Sequence, residues 1–322
     1  MTDQTYSLES SATVARFATA KDYFELLKPR IMGLVVFTAL VGLLAAQNMT
    51  GLMLDPILAA IGVLAIALGS GAAGAINMWY DADIDAVMTR TSTRPIPAGI
   101  VPREEALSLG LILSFVSVLL MWMATTVLAA ALLAFSILYY GWFYTMVLKR
   151  RTAQNIVIGG AAGAFPPVIG WAAVTGNAPL DAWILFAIIF FWTPPHFWAL
   201  SLVAHKEYEK ANIPMMPVTS GTKRTRFEMF VYSLILLMVS LAPVATGLGG
   251  AIYGVSALVL GSLFAGMCFS IMNSTVGDDV SDAGGRKRAL SLFAFSILYL
   301  FILFAALLVE HAFGLHYQVG VL

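Results

Sequence analysis

Long apolar runs separated by short polar connections dominate the chain. A membrane-spanning helix takes about 20 apolar residues, and nine runs approach or reach that length. They lie at residues 31–47, 54–76, 106–123, 127–147, 156–174, 182–203, 229–247, 251–272 and 289–309. No connection between them has the composition of a soluble domain. The pattern therefore predicts an all-α integral membrane protein with nine transmembrane helices.

The overall composition excludes soluble enzymes and nucleic-acid-binding proteins. Of the 322 residues, 60% are hydrophobic and 11% are charged, whereas a soluble domain has about 25% charged residues. A water-soluble fold of this size cannot bury so many apolar side chains. The formal net charge is zero, so no overall field attracts nucleic acid. The single cysteine, Cys268, excludes an intrachain disulfide.

Basic residues occur in every second connection, and this sets the expected sidedness. With nine spans, all 18 Lys and Arg residues fall on one face of the membrane, and that face is normally cytoplasmic or, in mitochondria, the matrix side. We expect a cytoplasmic arm at residues 1–27, a membrane domain at residues 28–322 and an external C-terminus. The first thirty residues are unlike a secretory signal or a transit peptide, which favours a bacterial inner membrane.

An acidic motif continues the second run with no helix breaker. Asn77, Asp81 and Asp85 recur at every fourth residue, so on a continuous helix they share one face while Asp83 points away. Two carboxylates and an amide provide oxygen ligands that suit Mg²⁺, with substrate phosphates completing the coordination. The motif therefore predicts a metal site at the basic side of the membrane.

Two arginines follow this motif closely. Arg90 and Arg94 lie in the segment R-T-S-T-R-P-I-P-A-G, and guanidinium groups bind phosphate oxygens in bidentate fashion. The alternative is a helix end whose acids are neutralised by its own loop. Because charged groups at the membrane edge are costly and usually functional, we favour a diphosphate site.

The motif N-x-x-x-D-x-x-x-D, followed by M-x-R-T-x-x-R-P-x-P, resembles the first aspartate motif of the UbiA-type intramembrane prenyltransferases. Three further segments are similar to the haem-modifying branch of that family: residues 148–167, W-T-P-P-H-F-W at 192–198, and I-P-M-M-P-V at 213–218. The resemblance runs from about residue 22 to residue 221. It implies helices around a central cavity, a Mg²⁺ cofactor, and transfer of a farnesyl group from farnesyl diphosphate to a vinyl group of haem B, giving haem O for haem–copper oxidases.

The resemblance also implies roles for individual residues. The metal ligands would be Asn77, Asp81 and Asp85. The groups that bind diphosphate would be Asn77, Arg90, Arg94, Lys149, Arg150 and Lys206, with Asp81, Asp85 and Lys206 central to catalysis. The haem pocket would be formed by Trp192, His196, Trp198, Glu207 and Tyr208. Membrane lipid is an expected partner, as are haem A synthase or oxidase assembly factors.

One stretch departs from the general family pattern. Many relatives carry a second Asp-x-x-x-Asp cluster after the sixth span, whereas this chain has Lys206 and Glu207 there and no aspartate. We therefore do not expect a second magnesium site built from acids. Instead, Lys206 is expected to contact the diphosphate directly.

Several basic residues and one histidine can be interpreted either as structural or as part of the site. Lys28 and the triplet at residues 149–151 either anchor the cytoplasmic side or bind phosphate. Pro194 and Pro195 should loosen the sixth spanning helix. His196 then either bonds to the carbonyls that these prolines free or contacts haem iron or a propionate.

Three other features are given structural interpretations. The glycine-rich run at residues 159–163 favours close helix packing over a phosphate loop, because no Gly-Lys-Ser/Thr follows it. Asp279 belongs to an expected solvated loop, and His316 is expected on the face opposite the site.

Two alternative functions stay open: prenylation of a quinone precursor or chlorophyllide, and ion-coupled transport through Asp81 and Asp85. Transporters usually place such acids at the bilayer midplane, which argues against the second.

Overall fold

The structure is a computed structural model that describes residues 17–278 and 281–315. Asp279 and His316, for which the sequence made predictions, lie outside these ranges. Within them the chain folds into thirteen α-helices. The helices are α1 (Ala20–Leu26), α2 (Pro29–Thr50), α3 (Pro56–Tyr80), α4 (Ala82–Val87), α5 (Arg103–Ala124), α6 (Val127–Leu138), α7 (Asn155–Thr175), α8 (Leu180–Val203), α9 (His205–Lys210), α10 (Met216–Thr219), α11 (Thr222–Thr246), α12 (Ala251–Met272) and α13 (Ala283–Phe313).

Nine helices in the described ranges are long and apolar enough to cross a membrane. They are α2, α3, α5, α6 with its continuation, α7, α8, α11, α12 and α13. Each overlaps one of the predicted spans, so the nine-helix prediction is confirmed. The helix ends follow local chemistry: Asp55 caps α3 by accepting bonds from the N–H groups of Ile57 and Leu58, and Gly51 ends α2 in the left-handed conformation.

The fourth span changes helix type halfway along. After α6 the chain continues as a π-helix, Tyr139–Leu148, in which Lys149 N–H bonds to the Tyr144 carbonyl at 2.9 Å. Stretches of π-helix are rare and often occur at functional sites. Here the wider turn brings the end of the fourth span next to the end of α3.

Glycines allow the central helices to pack closely. A Cβ atom on Gly159 of α7 would lie 2.1 Å from the Tyr144 ring, and one on Gly170 would lie 2.2 Å from the Ala39 carbonyl oxygen of α2. Such distances are far below van der Waals contact, so only glycine fits at these positions. The predicted packing role of the glycine-rich run is confirmed at Gly159 and at Gly160, which faces Thr193 of α8.

Two local predictions were wrong. The acidic motif does not continue one helix: α3 ends at Tyr80, and Asp81 (φ −85°, ψ 7°) separates it from the short helix α4. Pro194 and Pro195 are predicted to loosen the sixth spanning helix, but α8 runs through both without a break. Packing of α8 against α7, α11 and α13 holds this segment helical in spite of the lost N–H groups, as neighbouring helices allow in a membrane.

Candidate active site at one end of the bundle

Asn77, in the last turn of α3, is the centre of a buried polar network. Its Nδ2 donates to Asp81 Oδ2 at 2.7 Å and to Thr145 Oγ1 at 3.1 Å. Its Oδ1 accepts a hydrogen bond from Lys28 Nζ. The amide therefore joins the start of α2, the end of α3 and the π-helix. We call the group formed by Asn77, Asp81, Asp85 and their basic partners the acidic site.

Asp81 is completely buried and has one satisfied and one unsatisfied oxygen. Oδ2 accepts from Lys149 Nζ at 2.5 Å. Oδ1 is buried without a hydrogen-bond partner, and the nearest recorded cation is Arg150 Nη2, at 3.9 Å. A buried carboxylate oxygen without a partner is costly, so this oxygen is suited to receive a bound cation.

Asp85 and the two arginines of the following loop fold back onto the bundle. Arg94 Nη1 lies 2.6 Å from Asp85 Oδ2, and Thr91 Oγ1 donates to the Asp85 carbonyl at 3.0 Å. Arg90 Nη2 donates to the Tyr208 hydroxyl at 3.3 Å. The predicted grouping of acids with arginines is present, and Asp85 is neutralised by its own loop, as the alternative interpretation required.

Lys28 enters the acidic site through an unusual backbone conformation. It has φ 54° and ψ 57°, a left-handed geometry that is unfavourable for a residue with a side chain and directly before a proline. Its Nζ reaches Asn77 and lies 5.8 Å from the centre of the Tyr140 ring. Burial, together with the charges of Arg94 and Lys149, lowers the pKa of Lys28 to about 7.

Arg150 binds outside the buried network. Its guanidinium makes two hydrogen bonds to Asp83, at 2.8 and 2.7 Å, and lies 4.8 Å from the centre of the Tyr80 ring. The hydrogen bonds from Arg150 lower the pKa of Asp83. Asp83 is exposed and separate from the buried network, as predicted, and it holds Arg150 beside Asp81 rather than on it.

The sequence interpretation missed the aromatic side chains of the π-helix. Tyr140 and Tyr144 stack with ring centres 5.3 Å apart, and Thr145 bridges Asn77 and the Tyr140 carbonyl. Two signals could have found them: the spacing of the two tyrosines by four residues, which many structural helices share, and the position of Tyr144 and Thr145 just before the segment at 148–167 that carries the resemblance. The network around Asn77 was needed to reveal their place.

The second polar stretch does not act as one unit. Tyr208 of α9 is buried and bonds to Arg90, which places it with the arginines rather than with the predicted haem pocket. Lys206 is exposed. In the described part of the chain, no side-chain hydrogen bond or ion pair joins Lys206 or Glu207 to the acidic motif.

Two residues near the double proline, Trp192 and His196, form a second cluster with Phe293 and Ser296 of α13. The His196 ring stacks between Trp192 and Phe293, with ring centres 4.3 and 4.6 Å away, and its Nδ1 lies 2.6 Å from Ser296 Oγ. We call these four residues the imidazole cluster. Of the two interpretations of His196, the one with freed backbone carbonyls as its partners is wrong, because its partner is a serine hydroxyl. Contact with haem iron or a propionate stays a prediction. Trp198 is fully buried elsewhere, with its ring edge-on to Tyr232.

The acidic site fits a magnesium ion only if the substrate completes the coordination. Among the described residues, no three His, Cys, Asp or Glu side chains gather into a metal-binding group. The unsatisfied Asp81 Oδ1, the Asp85 carboxylate and the Asn77 amide are hard oxygen donors. Magnesium is commonly held by one or two carboxylates together with phosphates and water, so this donor set is compatible with it.

Comparison with known proteins identifies the fold and the family. Residues 35–284 match the UbiA prenyltransferase family. The chain belongs to that family. A UbiA-family relative from Hyphomonas neptunium, named protoheme IX farnesyltransferase, is 69% identical over 312 residues, which cover 97% of this chain and 98% of the relative. The family recognised from the aspartate motif is thus confirmed.

Solved structures of distant proteins share the fold of this UbiA-family chain. The structure of digeranylgeranylglyceryl phosphate synthase has a TM-score of 0.72 at 16% identity, covering 90% of this chain and 98% of that one. A UbiA homologue from Archaeoglobus fulgidus bound to GPP and Mg²⁺ has a TM-score of 0.61 at 16% identity, with coverage of 88% and 99%. This integral membrane prenyltransferase therefore has the helical architecture of its family.

Proposed function

We propose that this protein transfers the farnesyl group of farnesyl diphosphate to a vinyl group of haem B, giving haem O. The acidic site carries the proposal for the donor: Lys149 contacts the buried Asp81 carboxylate and Lys28 bonds to the adjacent Asn77, and a diphosphate could engage both lysines. The name of the 69% identical relative supports haem as the acceptor. The Mg²⁺ and GPP bound to the Archaeoglobus homologue support a metal-dependent reaction.

The basic side chains of the acidic site would bind the diphosphate by exchanging partners. Lys149 and Arg94 now neutralise Asp81 and Asp85. When a phosphate group arrives, these cations can turn to its oxygens, and the two carboxylates with Asn77 would hold Mg²⁺. That ion supplies electrostatic stabilisation of the charge that builds on the leaving diphosphate. Arg90, Arg150 and Lys206 are the further diphosphate contacts that we propose.

The proposed transfer exchanges a carbon–oxygen bond for a carbon–carbon bond. The bond between farnesyl C1 and the diphosphate oxygen breaks, and a new carbon–carbon bond forms to the terminal vinyl carbon of haem. This leaves a positive charge on the vinyl carbon next to the porphyrin. Water adds to that carbon and loses one proton, which leaves a hydroxyl group there. The stacked Tyr140 and Tyr144 rings would stabilise positive charge on the farnesyl group through their faces.

We also propose where the protein lies in the cell. The basic helix ends favour the cytoplasmic side, so we propose a bacterial inner membrane protein with the acidic site facing the cytoplasm and the C-terminus outside. A haem A synthase or oxidase assembly factors would receive the product. Of the five residues predicted for the haem pocket, we propose that Trp192 and His196 contact haem, because they stack on each other in the imidazole cluster. Trp198 packs against Tyr232 and Tyr208 bonds to Arg90, so neither is kept in the proposed pocket. Glu207 stays a prediction.

An assay with purified protein in lipid nanodiscs tests the proposal. Haem B, farnesyl diphosphate and Mg²⁺ are supplied, and product masses are read out. We expect hydroxyethylfarnesyl haem, which disappears without Mg²⁺ and in Asp81→Ala. Product formed equally well by Asp81→Ala would overturn the assigned donor site. Farnesylation of a quinone precursor but not of haem would overturn the acceptor.

A further inference from the structure

The imidazole of His196 has three sides enclosed by protein. Trp192 and Phe293 stack on its two faces, with interplanar angles of 16° and 19°. Nδ1 faces Ser296 Oγ at 2.6 Å. Nε2 has no hydrogen-bond partner among the described residues, and it is absent from the buried atoms that lack one. The Nε2 edge is therefore the part of the ring that a ligand can reach.

The hydrogen bonds of Ser296 decide which ring nitrogen carries the proton. A serine hydroxyl has one proton to donate and can accept from others. Ser296 Oγ lies 2.6 Å from the Phe293 carbonyl oxygen, which can only accept. The single proton is thus used on Phe293, and the bond to His196 is complete only if Nδ1–H donates to Ser296. In a neutral imidazole this leaves the lone pair on Nε2.

The same residue also anchors the neighbouring tryptophan, but with a different atom. Trp192 Nε1 donates to the Ser296 carbonyl oxygen at 2.8 Å. The hydroxyl of Ser296 holds His196, and its backbone holds Trp192. Removing the hydroxyl therefore breaks the bond to His196 and leaves the bond to Trp192 available. A substitution of Ser296 thus tests the His196 bond selectively.

We infer that Ser296 of α13 is a positioning residue that keeps His196 in the Nδ1–H tautomer, so that Nε2 offers its lone pair to the haem acceptor. The inference rests on the proposed function, because it assigns a role in the acceptor half of that reaction. A histidine that donates an electron pair usually has its other ring N–H held by a hydrogen-bond acceptor, and Ser296 provides that acceptor. The haem groups able to receive the pair are its iron and a protonated propionate.

The tautomer can be measured directly by nitrogen NMR of histidine-labelled protein in nanodiscs. The chain has four histidines, and the signal that vanishes in His196→Gln identifies His196. We expect the Nδ1–H tautomer in the wild type, a mixture of tautomers in Ser296→Ala, and a return to one tautomer in Ser296→Thr. An unchanged tautomer in Ser296→Ala would overturn the inference, and this measurement needs no turnover.

Steady-state kinetics test the functional consequence. Loss of one hydrogen bond of ordinary strength corresponds to about a fivefold change in an equilibrium, so Ser296→Ala should raise KM for haem about fivefold. KM for farnesyl diphosphate should stay unchanged, and Ser296→Thr should restore the haem value. Equal changes in both KM values would overturn the inference.

A matched control is available at another serine that bonds to α13. Ser240 Oγ of α11 and Tyr299 OH of α13 form another buried bond, at 2.7 Å, which does not involve His196. Ser240→Ala removes a similar hydroxyl and should leave the tautomer and the haem KM unchanged. If Ser240→Ala shifts the haem KM as much as Ser296→Ala, the effect is general loosening of α13 and the inference fails.

Binding of metal-free protoporphyrin distinguishes the two receiving groups. If Ser296→Ala weakens binding of haem but not of protoporphyrin, Nε2 acts on the iron; equal weakening of both assigns the propionate. If neither weakens, the inference is overturned. A wild-type protein that makes no farnesylated haem would contradict the proposed function. The tautomer measurement would still test whether Ser296 sets the tautomer of His196.

Discussion

The acidic site and the imidazole cluster hold buried polar groups in opposite ways. In the acidic site, Asp81 and Asp85 are each countered by a basic side chain, at 2.5 and 2.6 Å. In the imidazole cluster, His196 is held by a serine hydroxyl and two aromatic rings. No recorded ion pair involves the imidazole cluster within residues 17–278 and 281–315.

The difference matches two kinds of ligand. Buried ion pairs contribute little net stability, because each charge loses its hydration, but their members can exchange partners with a charged substrate and a metal. A neutral imidazole between rings suits a flat, largely apolar acceptor. Charged partners thus hold the acidic site together, and uncharged partners hold the imidazole cluster. The predictions below are ordered by how strongly they should disturb this difference.

The largest effect is expected from removing the Asp81 charge. Asp81→Asn keeps the size of the side chain but removes the charge that Lys149 neutralises and that a cation would bind. We expect the farnesyl transfer rate to fall on the order of 10²–10³-fold, as when a key electrostatic group is lost. Single-turnover product formation measures it. Ser296→Ala in the imidazole cluster should leave KM for farnesyl diphosphate unchanged.

The next effect concerns the lysine opposite that carboxylate. Lys149→Gln would remove the charge-assisted contact that we propose between Lys149 and the diphosphate, and such contacts contribute about 1.5–3 kcal/mol. KM for farnesyl diphosphate should rise by about 10-fold or more. Lys223→Gln, which changes an exposed lysine at the start of α11, is the control and should behave as wild type. Equal KM values in the two variants would contradict the assignment of Lys149.

A third prediction tests the packing that supports the acidic site. Gly159→Ala would place a methyl group 2.1 Å from the Tyr144 ring. Overpacking of this kind costs about 1–3 kcal/mol, so the thermal midpoint should fall and activity should decline with the displaced Tyr144. Gly163→Ala is the matched control, because its new methyl meets nothing within 4 Å. A Gly163→Ala midpoint as low as that of Gly159→Ala would refute the packing argument.

The smallest effect is expected at the exposed pair. Asp83→Asn breaks the hydrogen bonds to Arg150, and exposed pairs contribute about 0.2–1 kcal/mol. Activity should change little. Comparison with Arg150→Gln decides the role of the arginine: if Arg150 binds diphosphate, Arg150→Gln raises KM for farnesyl diphosphate and Asp83→Asn does not. Identical KM values in both variants would leave Arg150 a structural partner of Asp83.

Some of the acidic site could be predicted from spacing and some could not. Asn77 and Asp81 lie one turn apart and contact each other as their spacing indicates, and Arg94 meets Asp85 nine residues away. The break at Asp81 was missed because no proline or glycine marks it. The role of Lys28 could not be decided from the sequence, because a basic residue before a span is expected for topology alone.

The nine helices, their order and the acid–arginine motif were determined by the sequence, because bilayer thickness sets apolar length and neighbouring residues settle short-range contacts. Only the tertiary structure joined Lys28 to Asn77, 49 positions apart, and His196 to Ser296, 100 positions apart. Which helix faces meet depends on close packing at glycines such as Gly159 and on a π-helical turn. These are properties of several segments at once, and no single stretch of the chain encodes them.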